Sequence, residues 1–571
     1  MKIIRHIFLM LWHTLRGRRG ITTMLKGKRS ALLRSIRQRG LGTSAFLLGI
    51  LEAFPEKTAV VSGERRLTYQ DLKERVFRLA NGLIELGLQE GDNLAIMLRN
   101  SSEFLESAVF APIFTASKAA LINYHFRADE IYRIVSDAES RVFILDEEFL
   151  KEVIPLRSRL SKVKHFIVVG REAPGDMIRY EDLINRSGTR EPDYRPRSSP
   201  PGSTGAMVYT GGTTGRPKGT NTFGVLTGAL LPTGEGPSFD VGEIMGMFDN
   251  FIAGFDYPQT TNIHLVAGPL YHAAPIAFAL VTILLGGTLI MMRKFDPGEA
   301  LKMIEREKVS TTFMAPILLK RLLSFPDKPK YNVSSMKSIV CAAAPCPVSL
   351  KKEVNRYFGA VFYEFYGSSD VGINTILRPE HYLADPARYA SVGKVAPGNE
   401  LKILDDGGRE CPPGVSGDLY IKNYAKDLLQ YYKDPEKTSS SFRLIDGERY
   451  FIEGEVAYLD KDGFCYIVDR KKDMIISGGV NIYPAEIEEV IHAHPGVVDV
   501  AVIGVPDPDW GESVKAVVQL KEGSRISGEE VIQYCKERLA GYKSPKSVEF
   551  LRELPRDPDG KLWKHKLKEM V

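Results

Sequence analysis

Cysteine is scarce in this chain. The five thiols, Cys341, Cys346, Cys411, Cys465 and Cys535, are scattered through 571 residues, odd in number and never spaced C-x-x-C. That pattern excludes a disulfide framework and a cysteine zinc site, and it suits a reducing compartment. His492 and His494 have no nearby cysteine or third ligand and read as helix-end surface residues. Long apolar runs are missing too. The N-terminal run at 7–12 falls far short of the roughly 20 residues a spanning helix needs, and no small-residue cleavage site follows it closely, which argues against a secretory signal. The chain has no G-x-x-x-x-G-K-[S/T] loop, no G-x-G-x-x-G after a strand, no H-E-x-x-H and no G-x-S-x-G elbow, so the common nucleotide, dinucleotide, zinc-protease and hydrolase signatures do not apply.

An excess of one charge is absent overall but present locally. Eleven of the 76 Lys and Arg lie within residues 1–40, with no Asp or Glu, which leaves 65 bases against 71 acids in the rest. The mildly acidic body gives no reason to expect a nucleic-acid partner. The leader, "MKIIRHIFLMLWHTLRGRRG" followed by "ITTMLKGKRSALLRSIRQRG", interleaves apolar and basic residues. Two readings stay open: a helix lying on an anionic membrane surface, or a solvated basic tail. With no spanning segment, the expected location is cytoplasmic, with peripheral contact at the inner face of a membrane under the first reading.

At this length two or more domains are expected. In "LTYQDLKERVFRLANGLIELG", Thr68 and Asp71 have capping-box spacing. Leu72, Val76, Leu79, Leu83 and Leu86 make one face, and Gly87 is a stop. "NLAIMLRN" and "RVFILD" read as strands around a helix in "SSEFLESAVFAPIFTASKA". "TNIHLVAGP", "GTLIMMRKF", "STTFMAP" and "KSIVCAA" continue the alternation. The pattern predicts an α/β fold, with a large domain of mostly parallel sheets flanked by helices. The Pro- and Arg-rich segment 186–204 is a surface connection. Beyond about 470, "VVDVAVIGV", "VKAVVQL" and "SVEFLREL" surround the helix of "SGEEVIQYCKERLAGY", which is enough for a small α+β domain.

The most pointed stretch is "VYTGGTTGRPKG", which follows the apolar "AMV" and so begins at a strand end. Gly211, Gly212, Gly215 and Gly219 let backbone amides face one point. Thr210, Thr213 and Thr214 add hydroxyl donors and Lys218 a cation. Together they make a polyphosphate cradle.

This loop resembles that of the adenylate-forming superfamily, which includes acyl-CoA synthetases, peptide-synthetase adenylation domains and luciferases. Further signatures follow in order over residues 45 to 571. "GPLYHAAP" holds Pro269 and His272, and "AAAPCP" (342–347) resembles the adenine-accepting turn. "FYEFYGSSDVG" is similar to Y-G-x-T-E, and the segment from "GERYFIEGEVAYLD" to "NIYPAEIEE" is similar to the ribose-and-hinge region. "LPRDPDGKLWKHKL" resembles the catalytic-lysine motif.

The resemblance implies that ATP, Mg²⁺ and CoA are used with a small carboxylic acid, giving first an acyl-adenylate and then a thioester. It implies Asp370 and Thr210 at the metal and Tyr366, Ala343 and Ser369 at the nucleotide. Glu455 falls at the ribose, Arg470 behind the nucleotide and His272 beside the carboxylate. Lys561, with Lys218, belongs to the catalytic set. It also implies domain limits: a leader to 40, a large domain over 41–469, a hinge at 470–473 turning on Lys472, and a mobile small domain over 474–571. Ser477, Gly478 and Gly479 then line the path of the thiol. Two positions depart from the pattern: Ser369-Asp370 replaces T-E, and Glu453-Gly454-Glu455 replaces T-G-D. Both keep the charge and change its reach by one methylene.

The acid is the least legible part. "GEIMGMFDNFIAGFDYP" (242–258) is either an acyl-channel wall or a core helix, without a basic partner for a second carboxylate. Medium- to long-chain fatty acids are expected first, then aryl or steroid side-chain acids. A free-standing enzyme loading an acyl carrier protein is the alternative acceptor. A lipid-binding protein on a degenerate scaffold is disfavoured by retention of Lys218, Arg470 and Lys561.

Overall fold

The computed structural model describes residues 29–39, 43–192, 205–211, 217–220, 254–258, 261–423, 429, 431–477, 480–556 and 562–571. Three sheets organise them. In the largest, the strands Thr58–Ser62, Thr288–Met291, Ile263–Val266, Thr311–Phe313, Ser338–Cys341 and Phe362–Ser368 lie side by side, every neighbouring pair parallel. Their short apolar runs are what a sheet covered on both faces requires. The helices Ala273–Leu284, Pro297–Glu307 and Pro316–Leu323 supply part of that cover.

From Phe362–Ser368 onward the same sheet turns antiparallel, through Gly372–Leu377, Gly393–Val395, Phe464–Arg470 and Glu448–Leu459. Two of these pairings are short hairpins, Phe362–Ser368 with Gly372–Leu377 and Glu448–Leu459 with Phe464–Arg470, since antiparallel neighbours need only short turns. The seven-stranded sheet is parallel except at one edge, where Gly205–Gly211 meets Pro217–Thr220 antiparallel. After residue 474 the strands form a separate five-stranded sheet, with the helices Pro484–His492 and Gly528–Lys536.

Several local readings hold. The helix Tyr69–Glu85 starts at a full Thr68–Asp71 capping box, buries Leu72, Val76, Leu79 and Leu83, and is followed by Gly87 at φ +84°. Others differ. The stretch expected as one helix runs as Ser102–Leu105, a π turn over Glu106–Phe110, and Ala111–Thr115. The widened turn holds Glu106, fully buried, 2.7 Å from the Arg75 guanidinium and accepting from the Tyr180 hydroxyl at 2.8 Å. His492 ends the helix Pro484–His492 as expected but is less exposed than a surface residue. It is half-buried, and burial together with nearby Lys320 pushes its pKa down.

Much of the leader, residues 1–28 and 40, lies outside the described residues. The helix Arg29–Arg39 packs against Thr43–Leu51. Ser35 donates to the Ala45 carbonyl at 2.7 Å, and Arg39 pairs with Glu52 at 3.0 Å and Glu191 at 2.8 Å. In this stretch Arg39 is paired with the protein's own acids, while Arg34 and Arg37 are exposed. Among the described residues no helix is long and apolar enough to cross a membrane.

Candidate functional site

The glycine-rich loop is closed by a hairpin stem. Gly205–Gly211 pairs antiparallel with Pro217–Thr220, setting Thr210 opposite Lys218 and Gly211 opposite Pro217. Thr210, Gly211 and Lys218 are described by backbone alone, while Gly212, Thr213, Thr214 and Gly215 lie outside the described residues. Gly219 is closely packed, since a Cβ there would meet Met207 Sδ at 2.9 Å.

Tyr431 ties this hairpin to the next motif. It bridges Thr220 through the backbone, and its hydroxyl donates to Asp370 Oδ2 at 2.8 Å. Asp370 sits in the tight turn between Phe362–Ser368 and Gly372–Leu377. Gly367 is required there because a Cβ would fall 1.9 Å from the Gly372 carbonyl. Burial raises the Asp370 pKa, opposed by the Tyr431 hydrogen bond. Ser369 shares the turn, partly exposed.

The same hairpin presents Tyr366 to the antiparallel wing. Its hydroxyl meets Glu453 Oε2 at 2.9 Å and Glu455 Oε2 at 3.2 Å. Glu455 stands directly across the ladder from Arg470, with Nε 3.4 Å from Oε1. Burial, then the neighbouring Glu455 charge, pushes the Glu453 carboxyl up to about 8. Tyr366, Glu453, Glu455 and Arg470 are therefore one cluster, and Tyr431 joins the nearby Asp370 to the phosphate-loop stem. Neither Glu453 nor Tyr431 was identified as a contact from sequence. For Glu453 the signal was a carboxylate two residues from Glu455. For Tyr431 there was none, because its partner is 61 residues away.

Ala343 lies in the turn after Ser338–Cys341, exposed and at φ +78°. His272 stands at the N-terminal cap of the helix Ala273–Leu284, its ring tilted 57° against that of Tyr271 with centroids 4.2 Å apart. Below it, Phe278 of that helix packs on Phe255 at 5.5 Å and Phe313 at 5.5 Å, and Phe313 on Phe365 at 6.2 Å. All four rings are buried. Lys472 is exposed in the turn Lys471–Asp473, and Ser477 ends the strand Ile475–Ser477, opposite Val480 and Gly511. Gly478, Gly479 and Lys561 lie outside the described residues.

Among the described residues no group of three His, Cys, Asp or Glu could hold a metal ion alone. Mg²⁺ bound through phosphates needs only one or two carboxylates, keeping several waters, and the hard oxygens of Asp370 fit that chemistry.

The family model of AMP-binding enzymes matches residues 50–428, and that of the AMP-binding enzyme C-terminal domain matches residues 486–561. A feruloyl-CoA synthase from Amycolatopsis sp is 34% identical, covering 89% of this chain and 95% of its own. A long-chain-fatty-acid–CoA ligase from Bacillus subtilis is 29% identical, covering 90% and 92%. Among solved structures, ATP-bound MatB from Rhodopseudomonas palustris superposes with a TM-score of 0.78 at 27% identity, over 93% of this chain and 99% of that one.

Proposed function

We propose a substrate and a set of residue roles for a chain that belongs to the AMP-binding enzyme family and is an acyl-CoA synthetase, an AMP-forming acid–thiol ligase. Such an enzyme uses ATP and CoA. A carboxylate oxygen attacks the α-phosphorus of ATP and pyrophosphate leaves. The CoA sulfur then attacks the acyl carbon and AMP leaves.

The first step brings two anions together, so the site has to supply cations and position. In this reading the loop from Thr210 to Lys218, with Gly211, Gly212, Thr213, Thr214 and Gly215, holds the outer phosphates. Asp370, with Thr210, would hold Mg²⁺, which supplies charge neutralisation on the phosphate oxygens. Tyr366, Ala343 and Ser369 take the adenine end, Glu455 the ribose and Arg470 the nucleotide behind it. His272 faces the acid, and Lys561 reaches the α-phosphate and carboxylate oxygens. The small domain, from 474 onward, turns at Lys472 to exchange Lys561 for Ser477, Gly478 and Gly479 along the thiol path. The observation that carries this reading is the Tyr431 link, which ties the phosphate-loop stem to Asp370 at 2.8 Å.

For the acid, we put an apolar carboxylate with a planar aromatic group first. The buried rings of Phe255, Phe278, Phe313 and Phe365, with Phe278 on the helix that His272 begins, support a compact aromatic floor. The 34% identity to a feruloyl-CoA synthase supports the same class. Medium- to long-chain fatty acids are the second reading, supported by the fatty-acid relative.

Acid-dependent ATP–pyrophosphate exchange across a ladder of aryl and fatty acids tests the substrate, and AMP release with and without CoA tests the acceptor. Exchange confined to fatty acids reverses the order of the two classes. Exchange without CoA-dependent turnover replaces CoA by a carrier protein.

A further inference from the structure

Asn100 is buried just past the end of the strand Asn93–Met97, in the seven-stranded sheet. Its side chain crosses to the other large sheet and makes three hydrogen bonds there. Nδ2 donates to the Gly268 carbonyl at 2.9 Å and the Met292 carbonyl at 3.1 Å, and Oδ1 accepts from the Leu270 amide at 2.8 Å. Gly268 and Leu270 belong to the turn "GPLYH". Within it the His272 amide donates to the Pro269 carbonyl at 3.2 Å before the helix Ala273–Leu284 begins. One amide side chain thus sets both the entry and the middle of the turn that aims His272.

The support for Asn100 is itself fixed. The amide of Arg99 donates to Asp146 Oδ2 at 2.6 Å, and Arg293, next to Met292, pairs with Asp146 at 3.2 Å and Glu148 at 2.8 Å. Arg99 also lies 4.1 Å over the Tyr124 ring, which meets Tyr271 edge-on at 4.9 Å, the neighbour of His272. Residues 99 and 100 therefore grip the turn twice, once by hydrogen bonds to its backbone and once through an aromatic contact.

We propose that Asn100 is a positioning residue for the acid: by pinning Gly268 and Leu270 it sets where His272 stands, and so governs capture and alignment of the carboxylate. The inference rests on the reading of His272 as facing the acid. Its physical basis is that a near-attack arrangement tolerates little displacement, and an amide that satisfies two carbonyls and one N–H across two sheets leaves the turn one position.

The test uses the full-length enzyme in acid-dependent ATP–pyrophosphate exchange, with Asn100→Ala, Asn100→Asp, His272→Ala and the double variant Asn100→Ala/His272→Ala. Asn100→Asp keeps the size and the acceptor for Leu270 but loses the donor to Gly268 and Met292. Folding is followed by thermal denaturation. Folded Asn100 variants are expected to raise the KM for the acid or lower kcat by roughly tenfold to a hundredfold, with the KM for ATP nearly unchanged. The double variant should be no worse than His272→Ala, because both act through one turn.

Additive losses, or equal increases in both KM values, overturn the inference. Failure of both Asn100 variants to fold makes Asn100 a structural residue and overturns it as well. A silent His272→Ala removes the role of His272 instead, and with it the premise.

Discussion

The hydroxyl of Tyr366 donates to Glu453 Oε2 across 2.9 Å, in a pocket that also holds Glu455. Two carboxylates on alternate residues of one strand sit beside one tyrosine hydroxyl, and Arg470 is paired with Glu455. Burial first, then Glu455, with a smaller contribution from Asp370, lifts the Glu453 pKa from 4.5 to about 8, against hydrogen bonds from Ser368 and Tyr366. The folded state therefore holds a proton that the unfolded state has lost between pH 4.5 and about 8. Stability from this group is fully present below 4.5 and is lost as pH rises through 8. Glu453→Gln keeps the neutral form at every pH. Its melting temperature should gain on that of the parent from pH 5 to 8 and hold a constant lead above that. A difference that is flat with pH would mean that Glu453 is ionised in the fold.

Ala343 carries a left-handed backbone at φ +78° without glycine's freedom. A non-glycine residue held there costs about 1–3 kcal/mol. Ala343→Gly should relieve part of this, and Ala343→Val should cost more, because β-branching crowds that region further. Urea denaturation of the two variants measures the sign. Loss of stability in Ala343→Gly would show that unfolded-chain entropy outweighs the strain at this turn.

The turn is braced from behind by a buried pair. Lys351 of the helix Val348–Phe358 contacts Glu364, both side chains at most 5% exposed, and also donates to the Tyr389 carbonyl at 2.8 Å. Burial opposes the charge on each partner, and each opposes that effect in the other. Removing one partner leaves a buried charge, so Lys351→Met should cost about 3–5 kcal/mol. Lys351→Met/Glu364→Leu should recover much of that loss. Chemical denaturation of the single and double variants closes the cycle, and no recovery in the double variant would mean the cost is steric.

What could be read from sequence was the part written in local patterns. The Thr68 cap, the face of Leu72 to Leu83 and the short apolar strands need only near neighbours, and they came out as expected. The order of the motifs pointed to the family because each carries its own chemistry. The antiparallel wing, the π turn at Glu106 and the burial of His492 were not legible, since each is decided by a residue distant in sequence. Arg75 meets Glu106 from 31 positions away, and Lys320, whose charge acts on the half-buried His492, lies far from it in sequence. Asn100 illustrates the same limit. An asparagine after a strand reads as an ordinary turn residue until its three partners, about 170 to 190 positions on, are in place.

Arg556 and Leu562, which flank the segment containing Lys561 in sequence, bridge through the backbone to form a neck. Arg556 is anchored there by Asp499 at 2.5 Å. In the proposed mechanism Lys561 meets charge that develops only while the acyl–phosphate bond forms, so it belongs to the first half-reaction. Lys561→Ala should slow acid-dependent pyrophosphate exchange by roughly a hundredfold or more, as loss of a transition-state donor does. It should leave thioester formation from a supplied acyl-adenylate close to the parent rate. Arg556→Ala offers a contrast, because loosening the neck should slow the same step less while leaving Lys561 available. The two half-reactions are measured separately, exchange with labelled pyrophosphate and thioester formation from synthetic adenylate. Equal losses in both would place Lys561 in binding common to the two steps and remove it from the chemistry of the first.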